Sequence, residues 1–314
     1  MKISNCKTSK GFTLIELLVS MIITTIIILV LVTVTVTSLD IWNRNRSEVR
    51  ASLQAKAMVD SMAADFESMV VRRGNDYQWL YAEFAPPADG PNSNKSPSAL
   101  NLIFFSAATD RYDGKVGDPV ADLGGDISSI GYQLIYKDPI SELSNDKYKT
   151  FVLYRKLVNP DDTFKDLLGQ ANLKDAFKPY AIGGAEPLDA VENFICENVY
   201  QFTVKFHIDL TVTDAGGITT TKQVSVSLND KQKFVVTGNG ITTDATLPTI
   251  TGVPDVAAAV RSGRITAVEV SLSVITDGAL RQLRGRNFSD EEKLSDFIAE
   301  NSYQYSKLIP VPSY

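Results

Sequence analysis

Residues 12–39 read FTLIELLVSMIITTIIILVLVTVTVTSL, and this stretch decides the fold of the N-terminal part of the chain. Glu16 is its only ionisable side chain. A helix needs about 20 apolar residues to cross a bilayer, so the stretch predicts a transmembrane helix. The preceding residues, 1–11, contain three lysines and no acid. Because positively charged flanks stay in the cytoplasm, we expect the N-terminus there and the remainder on the other side of the membrane.

A secretory signal peptide is the alternative interpretation of this N-terminus. Signal peptides have an apolar core of about 7–15 residues that ends at a small-residue cleavage site. The apolar stretch is longer here, and Thr33 to Asp40 contain no such site, so we favour a retained helix. Glu16 is unusual in such a helix, because placing a carboxylate inside a membrane costs about 2.5 kcal/mol or more of free energy. A carboxylate in this position is by default functional. An incidental acid, solvated near the interface, is the other interpretation.

The residues around Glu16 resemble a known motif. Residues 11–18 read GFTLIELL, which is similar to the prepilin leader motif of type IV pilins and type II secretion pseudopilins. The resemblance implies that residues 1–11 are a leader, that a prepilin peptidase cuts after Gly11, and that Phe12 becomes the methylated first residue. Glu16 then falls where the family keeps its glutamate. The implied partners are the prepilin peptidase, other pilin or pseudopilin subunits and an inner-membrane assembly platform.

The chemistry of Glu16 agrees with this resemblance. A buried carboxylate needs a cationic partner, and cleavage would create one in the new amino group of Phe12. Glu16 cannot easily reach its own amino terminus within a straight helix. We therefore expect it to meet the Phe12 amine of an adjacent subunit, which would set the axial register of a filament.

Residues 40–70 predict a continuation of the helix, because they contain neither glycine nor proline. The apolar residues at helical spacing are Val59, Met62, Phe66 and Met69, with Leu53 leading into them. This spacing favours a helix whose last part packs against a sheet. A coiled-coil dimer is the alternative, but its heptads would be irregular.

The remainder of the chain, 71–314, predicts a β-rich globular head. The expected strands are 100–107, 129–136, 150–158, 199–213, 218–228 and 264–275. Short helices are expected at 163–176 and 289–299, the second with Ser289 as its N-cap, and long surface loops at 85–98 and 238–258. Few long helical crossovers separate the strands, so antiparallel pairing is expected. The predicted fold class is therefore α+β and pilin-like: a long N-terminal helix, half in the membrane and half in the head, packed on an antiparallel β-sheet.

The size of the head is similar to that of the larger minor pilins, of the PilW and GspJ kind. Residues 190–202 resemble a strand entry of that class, and residues 265–272 resemble its closing strand.

Composition excludes several classes of protein. The chain has 314 residues, of which 44% are hydrophobic and 22% charged, as in ordinary globular proteins. A net charge of -6 argues against a nucleic-acid binder. Two cysteines exclude a disulfide scaffold, and a single histidine excludes a histidine-rich metal centre.

The chain offers few groups for catalysis. His207, between Phe206 and Ile208 in a predicted strand, is expected to be structural or solvent-facing. Cys6 lies in the leader, so Cys196 is the only cysteine of the processed chain, and we expect it to be buried. There is no G-x-S-x-G elbow and no glycine-rich phosphate loop. No enzymatic activity and no cofactor are predicted.

An acidic loop is the candidate metal site in the sequence. Its aspartates are Asp110, Asp113, Asp118, Asp122 and Asp126. Calcium prefers clustered oxygen ligands, and some pseudopilins bind calcium in a loop of the head. The spacing fits no EF-hand, so we favour a solvated loop without a metal, with Asp113, Asp118, Asp122 and Asp126 as the candidate ligands if calcium binds.

These observations favour a structural minor pilin or pseudopilin that assembles into, and initiates or caps, a type IV pilus or type II secretion pseudopilus. The expected location is the bacterial inner membrane, as a single-pass protein with a periplasmic head, and the filament after assembly. A tip adhesin or ligand-binding module on a pilin stem is the alternative. An uncleaved single-pass protein is disfavoured by Gly11 and Glu16.

Overall fold

The computed structural model describes residues 13–107, 126–139, 148–213, 217, 219–288 and 290–312, without the side chains of residues 44 and 47. By internal contacts the chain divides into two compact units, one ending at Val49 and the other running from Arg50 to Tyr314.

One helix, α1, runs from Leu14 to Glu67. Within the described residues it joins the two predicted segments, 12–39 and 40–70, in a single element, which ends at Glu67 rather than at residue 70. The hydroxyl groups of Thr33 and Thr35 donate to the carbonyl oxygens of the preceding turn, at 2.9 and 2.8 Å. These threonines therefore satisfy their polar groups inside the helix, which lets them lie in an apolar segment.

The part of α1 in the second unit buries one face. The buried residues are Ala51, Ala55, Met58, Val59, Met62, Ala63, Asp65 and Phe66. The prediction for Leu53 was wrong, because its side chain is 64% exposed. Leu53 lies off the buried stripe, where the small residues Ala51 and Ala55 take the inward positions and let the helix lie close to its neighbours.

Eleven strands form the head in the described part of the chain. They are β1 (Gln78–Phe84), β2 (Leu100–Ser106), β3 (Ser128–Lys137), β4 (Thr150–Val158), β5 (Phe194–Glu197), β6 (Val199–Thr213), β7 (Thr219–Ser227), β8 (Lys233–Thr237), β9 (Gly240–Thr243), β10 (Arg264–Ile275) and β11 (Ser302–Pro310). Seven make a sheet of order β5-β4-β3-β2-β1-β8-β9, and four make a second sheet of order β11-β10-β6-β7. Every pair of neighbouring strands is antiparallel. The antiparallel α+β prediction is confirmed.

Short helices connect the strands. They are α2 (Pro160–Asp162), which continues into a π-turn at Thr163–Leu167, α3 (Leu173–Ala176), α4 (Val256–Ser262), α5 (Asp277–Gly285) and α6 (Glu291–Asn301). The segment predicted as one helix, 163–176, is thus two short pieces. The N-cap of α6 is Asp290, whose carboxylate accepts from Glu292 N at 3.1 Å, rather than Ser289, which lies outside the described residues.

Two further predictions differ from the structure. The segment 238–258 is not a continuous loop, since it contains β9 and the first residues of α4. Residues 265–272 lie in β10, which is followed by α5, α6 and β11 and is therefore not the closing strand. β11 takes that place because it pairs with β10 along its whole length, from Ala267↔Pro310 to Ile275↔Ser302.

Aromatic side chains hold the two sheets and α1 together. Phe66 of α1 stacks on Phe104 of β2, with ring centroids 4.6 Å apart. Phe206 of β6 stacks on Phe234 of β8 at 4.2 Å, and these strands belong to different sheets. The core therefore lies between the sheets and under α1, where such pairs add about 0.5–1.5 kcal/mol beyond area burial.

Ion pairs attach α1 to both sheets. Arg50 pairs with Glu197 of β5, and Asp60 pairs with Lys307 of β11 at 2.8 Å. A third pair, Asp65 with Arg155 of β4, is buried.

Candidate functional site

Glu16 lies in the first turn of α1 and forms a capping box with Thr13. The backbone N–H and the hydroxyl of Thr13 both donate to Glu16 Oε2 at 3.0 Å. In return, the backbone N–H of Glu16 donates to Thr13 Oγ1 at 3.3 Å. This reciprocal arrangement satisfies orphan donors at the start of a helix, and an acid there also complements the helix dipole.

The capping box is a feature that the sequence argument did not predict: the Glu16 carboxylate accepts hydrogen bonds within its own chain. The spacing Thr13-x-x-Glu16 is the signal that could have revealed it. The charge itself is still uncompensated, since Glu16 forms no ion pair within the described residues. The capping bonds use Oε2, which leaves Oε1 free to accept from a cation brought by another molecule.

The first part of α1 offers a long apolar surface. It is long and apolar enough to cross a membrane by length and composition, and none of its most apolar window is buried in the protein. Exposed side chains such as Ile22, Ile26 and Leu29 are more than half accessible. A surface of this kind requires lipid or neighbouring helices around it.

A protein-family model matches residues 6–32, and its description is "Prokaryotic N-terminal methylation motif". The chain carries the prokaryotic N-terminal methylation motif. The motif is consistent with the type IV pilin and pseudopilin family. It implies processing by a prepilin peptidase and assembly with other pilins. The comparisons with curated proteins and with solved structures give no match.

The methylation motif includes the predicted cleavage residues. Gly11 and Phe12 lie outside the described residues, so cleavage after Gly11 and methylation of Phe12 stay predictions. Of the three residues predicted to serve cleavage, methylation and assembly, Glu16 is the one within the described part of the chain. Its carboxylate lies in the first turn of α1, where it contacts Thr13.

His207 faces away from the core, as the strand pattern predicts, because Phe206 and Ile208 are fully buried on the opposite face. Its Nδ1 lies 3.0 Å from Ser225 Oγ on β7, and its Nε2 lies 3.5 Å from Glu269 Oε2 on β10. Ser225 is directly opposite His207, whereas Glu269 is diagonal to His207 and directly opposite Lys205. Glu269 also pairs with Lys205 at 3.3 Å, so these polar residues form direct and diagonal cross-strand contacts of the kind that stabilise a sheet.

Cys196 is fully buried in β5, as predicted. Burial, with a smaller contribution from the charge of Glu197, raises the pKa of its thiol to about 12. The thiol is therefore protonated and unreactive at physiological pH.

The predicted calcium ligands fall mostly outside the described residues. Asp113, Asp118 and Asp122 lie there, and Asp126 is exposed just before β3. No group of three or more potential metal-ligating side chains occurs among the residues that the structure describes. The solvated loop without a metal therefore stays a prediction.

Proposed function

We propose that the protein is a structural subunit of a type IV pilus or a type II secretion pseudopilus. The observation that carries the proposal is the N-terminal methylation motif at the start of one continuous helix, α1, whose second part is built into an α+β head. The methylation motif supplies the processing signal, the apolar first part of α1 supplies a surface that other helices can cover, and the head supplies a folded body to display.

The proposed assembly mechanism centres on Glu16. Leader removal after Gly11 would place a positive amine on Phe12, and Glu16 has a free carboxylate oxygen one turn further on. Within the low dielectric of packed helices, pairing this carboxylate with the Phe12 amine of an adjacent subunit would relieve the cost of burying both charges. Assembly is then favoured only at the axial register that brings the two groups together.

Before assembly, the protein is proposed to reside in the bacterial inner membrane. Lys2, Lys7 and Lys10 would keep the N-terminus in the cytoplasm, and the head would lie in the periplasm. A prepilin peptidase and an inner-membrane assembly platform are the partners that this location requires. The large head supports assigning the protein to the larger minor subunits, of the PilW and GspJ kind, and we propose that it initiates or caps the filament. No catalytic step is assigned to the head.

A tip adhesin or ligand-binding module on a pilin stem is the second candidate function. A cavity of about 460 Å³ on the head supports it, because this volume lies within the range of about 300–1,000 Å³ that is typical of small-molecule sites. The two functions are compatible, since the head of a tip subunit is free to contact the surroundings.

Leader cleavage tests the proposed function. Co-expression with a prepilin peptidase should give a chain that begins with methylated Phe12, and Gly11→Val should stay uncut because a branched side chain crowds the cleavage site. Ser4→Val changes the leader away from the junction and should be cut normally. N-terminal sequencing and mass spectrometry distinguish these products. An intact Met1 in the wild-type protein, with active peptidase present, would refute the assignment.

A further inference from the structure

Trp42 and Arg46 of α1 lie just beyond the apolar stretch, about one helical turn apart. The guanidinium carbon of Arg46 lies 5.5 Å from the centroid of the Trp42 ring, within the range of a cation–π contact. The Trp42 side chain is 58% exposed, although a tryptophan ring is a large apolar group that folded proteins mostly cover. The pair therefore presents an apolar ring and a positive charge together on the surface of the helix.

The position of this pair along α1 corresponds to a membrane surface. Residues Leu17 to Leu39 carry no ionisable side chain, and as a helix they span about 35 Å. This length crosses a hydrocarbon core of about 30 Å with the tilt that membrane helices commonly have. Trp42 follows the end of this run by about 5 Å. It therefore falls in the head-group layer, where tryptophan is enriched.

The contact with Trp42 determines where the charge of Arg46 lies. The backbone of Arg46 is about 6 Å further along the helix axis than that of Trp42. Helical side chains point back toward the N-terminus, and the ring contact holds the guanidinium beside Trp42. The positive charge thus lies at the depth of the lipid phosphates. Long basic side chains near the ends of membrane helices reach head groups in this way.

No acid in the described part of the chain neutralises this charge, because Arg46 forms no ion pair there. The acids nearest to it in sequence are Asp40 and Glu48. At about 100° per residue they lie about 120° and 160° around the helix from Arg46. Arg50, on the next turn, pairs with Glu197. Arg46 is therefore available to an anion of another molecule.

The chemistry of the pair fits a phospholipid head group. A guanidinium donates two parallel N–H bonds to the oxygens of a phosphate, and the indole N–H of Trp42 is a further donor. A zwitterionic lipid brings its own cation, which would compete with Arg46, whereas phosphatidylglycerol brings none. We propose that Trp42 and Arg46 bind the phosphate of an anionic phospholipid, in the leaflet at the C-terminal end of the membrane-spanning stretch, and so fix the depth of α1. This inference rests on the membrane location that the proposed function includes, but on neither leader cleavage nor filament assembly.

Fluorescence quenching by brominated lipids tests the proposal. The full-length protein is placed in vesicles of equal parts phosphatidylcholine and phosphatidylglycerol, with bromine on the acyl chains of one lipid or of the other. Trp42→Phe gives the signal of the buried Trp79, which is subtracted. We expect brominated phosphatidylglycerol to lie beside Trp42 about fivefold more often than brominated phosphatidylcholine, as one arginine at a membrane surface provides. Bromines near the head group should quench Trp42 more than bromines at the chain ends.

Arg46→Gln removes the charge, so the two brominated lipids should then quench Trp42 equally. Lys56→Gln is the matched control, because it removes the same charge from an exposed position about 15 Å further along α1; its lipid preference should equal that of the wild type.

Four results would overturn the inference and leave the membrane location in place: equal quenching by the two lipids in the wild type, an undiminished preference in Arg46→Gln, an equal loss of preference in Lys56→Gln, or stronger quenching from the chain ends. A wild-type protein that does not float with the vesicles would overturn the membrane location as well. The failure of this inference is therefore distinguishable from the failure of the proposed function.

Discussion

Replacing Asp65 with alanine tests whether one buried charge pair holds the long helix to the sheet. Arg155 donates from Nε to Asp65 Oδ2 and from Nη2 to Asp65 Oδ1, both at 2.8 Å. The hydroxyl of Tyr132 donates to Asp65 Oδ2 as well. Burial, with the nearby Asp65 charge, raises the pKa of Tyr132 well above its ordinary value, so this hydroxyl stays a neutral donor. Alanine leaves a buried guanidinium and a buried hydroxyl without their acceptor.

The expected cost follows from the depth of the pair. The side chains of Asp65 and Arg155 are 4% and 17% exposed. Removing one partner of a buried pair costs about 3–5 kcal/mol, because the other charge is left uncompensated. The partial exposure of Arg155 lets water reach one side, so we expect about 3 kcal/mol. For a domain of this size that is a fall in Tm of about 6–12 °C.

Urea denaturation of the full-length protein, followed by tryptophan fluorescence, measures this loss. Trp79 is 3% exposed and reports on the head. Asp60→Ala is the matched control on the same helix. The side chains of the Asp60–Lys307 pair are 53% and 40% exposed, so solvent screens the pair and its loss should change the stability little.

Combining Asp65→Leu with Arg155→Met and Tyr132→Phe should recover most of the stability, since apolar groups then fill the site. If Asp65→Ala and Asp60→Ala cost the same within about 1 kcal/mol, the buried pair does not hold the helix and the reasoning is wrong.

Two further predictions concern the head. Native protein should resist alkylation of Cys196 at pH 9, because burial raises the pKa of the thiol from 9.0 to about 12; rapid labelling before unfolding would contradict the buried position. The thiol ionises at a lower pH in the unfolded chain than in the folded protein. The contribution of the buried thiol to the free energy of unfolding is therefore complete below pH 9 and is lost as the pH rises toward about 12. Cys196→Ala should flatten this decline. Millimolar calcium should leave Tm nearly unchanged if the acidic loop is only solvated. A rise of many degrees that Asp118→Asn removes would instead assign the loop a calcium site.

The long helix and the central strands could be predicted from the sequence because their signals are local. The apolar run 12–39 and the alternating pattern of β6 each specify an element without reference to the rest of the chain. β11 has a weaker pattern, with most of its side chains partly or fully exposed, and it exists because β10 offers it a complete partner. β8 and β9 are only five and four residues long, too short for a periodic signal.

Glu16 could be predicted from the sequence, whereas the contacts between distant residues in the head could not. The position of Glu16 follows from its neighbours in the motif, and its capping bond to Thr13 is encoded in a spacing of three residues. The Asp65–Arg155 pair joins residues 90 positions apart, and the cavity on the head, beside α5, combines four distant segments. Such long-range sets depend on the order of the strands, which hydrophobic pattern alone does not determine.

Incorporation of Glu16→Gln into filaments tests the central claim most directly. Glutamine can still accept the capping bond from the Thr13 backbone N–H, so this substitution removes the charge of the side chain while keeping its local structure. Thr13→Val is the complementary control, because it removes the hydroxyl but keeps the Glu16 carboxylate. The measured quantity is the amount of each variant in sheared filaments relative to its amount in the membrane. We expect Glu16→Gln to be cleaved normally but incorporated at least about tenfold less than wild type, because it loses one charge pair in a low-dielectric environment. Thr13→Val should be incorporated normally. Incorporation of Glu16→Gln at the wild-type level would contradict the account.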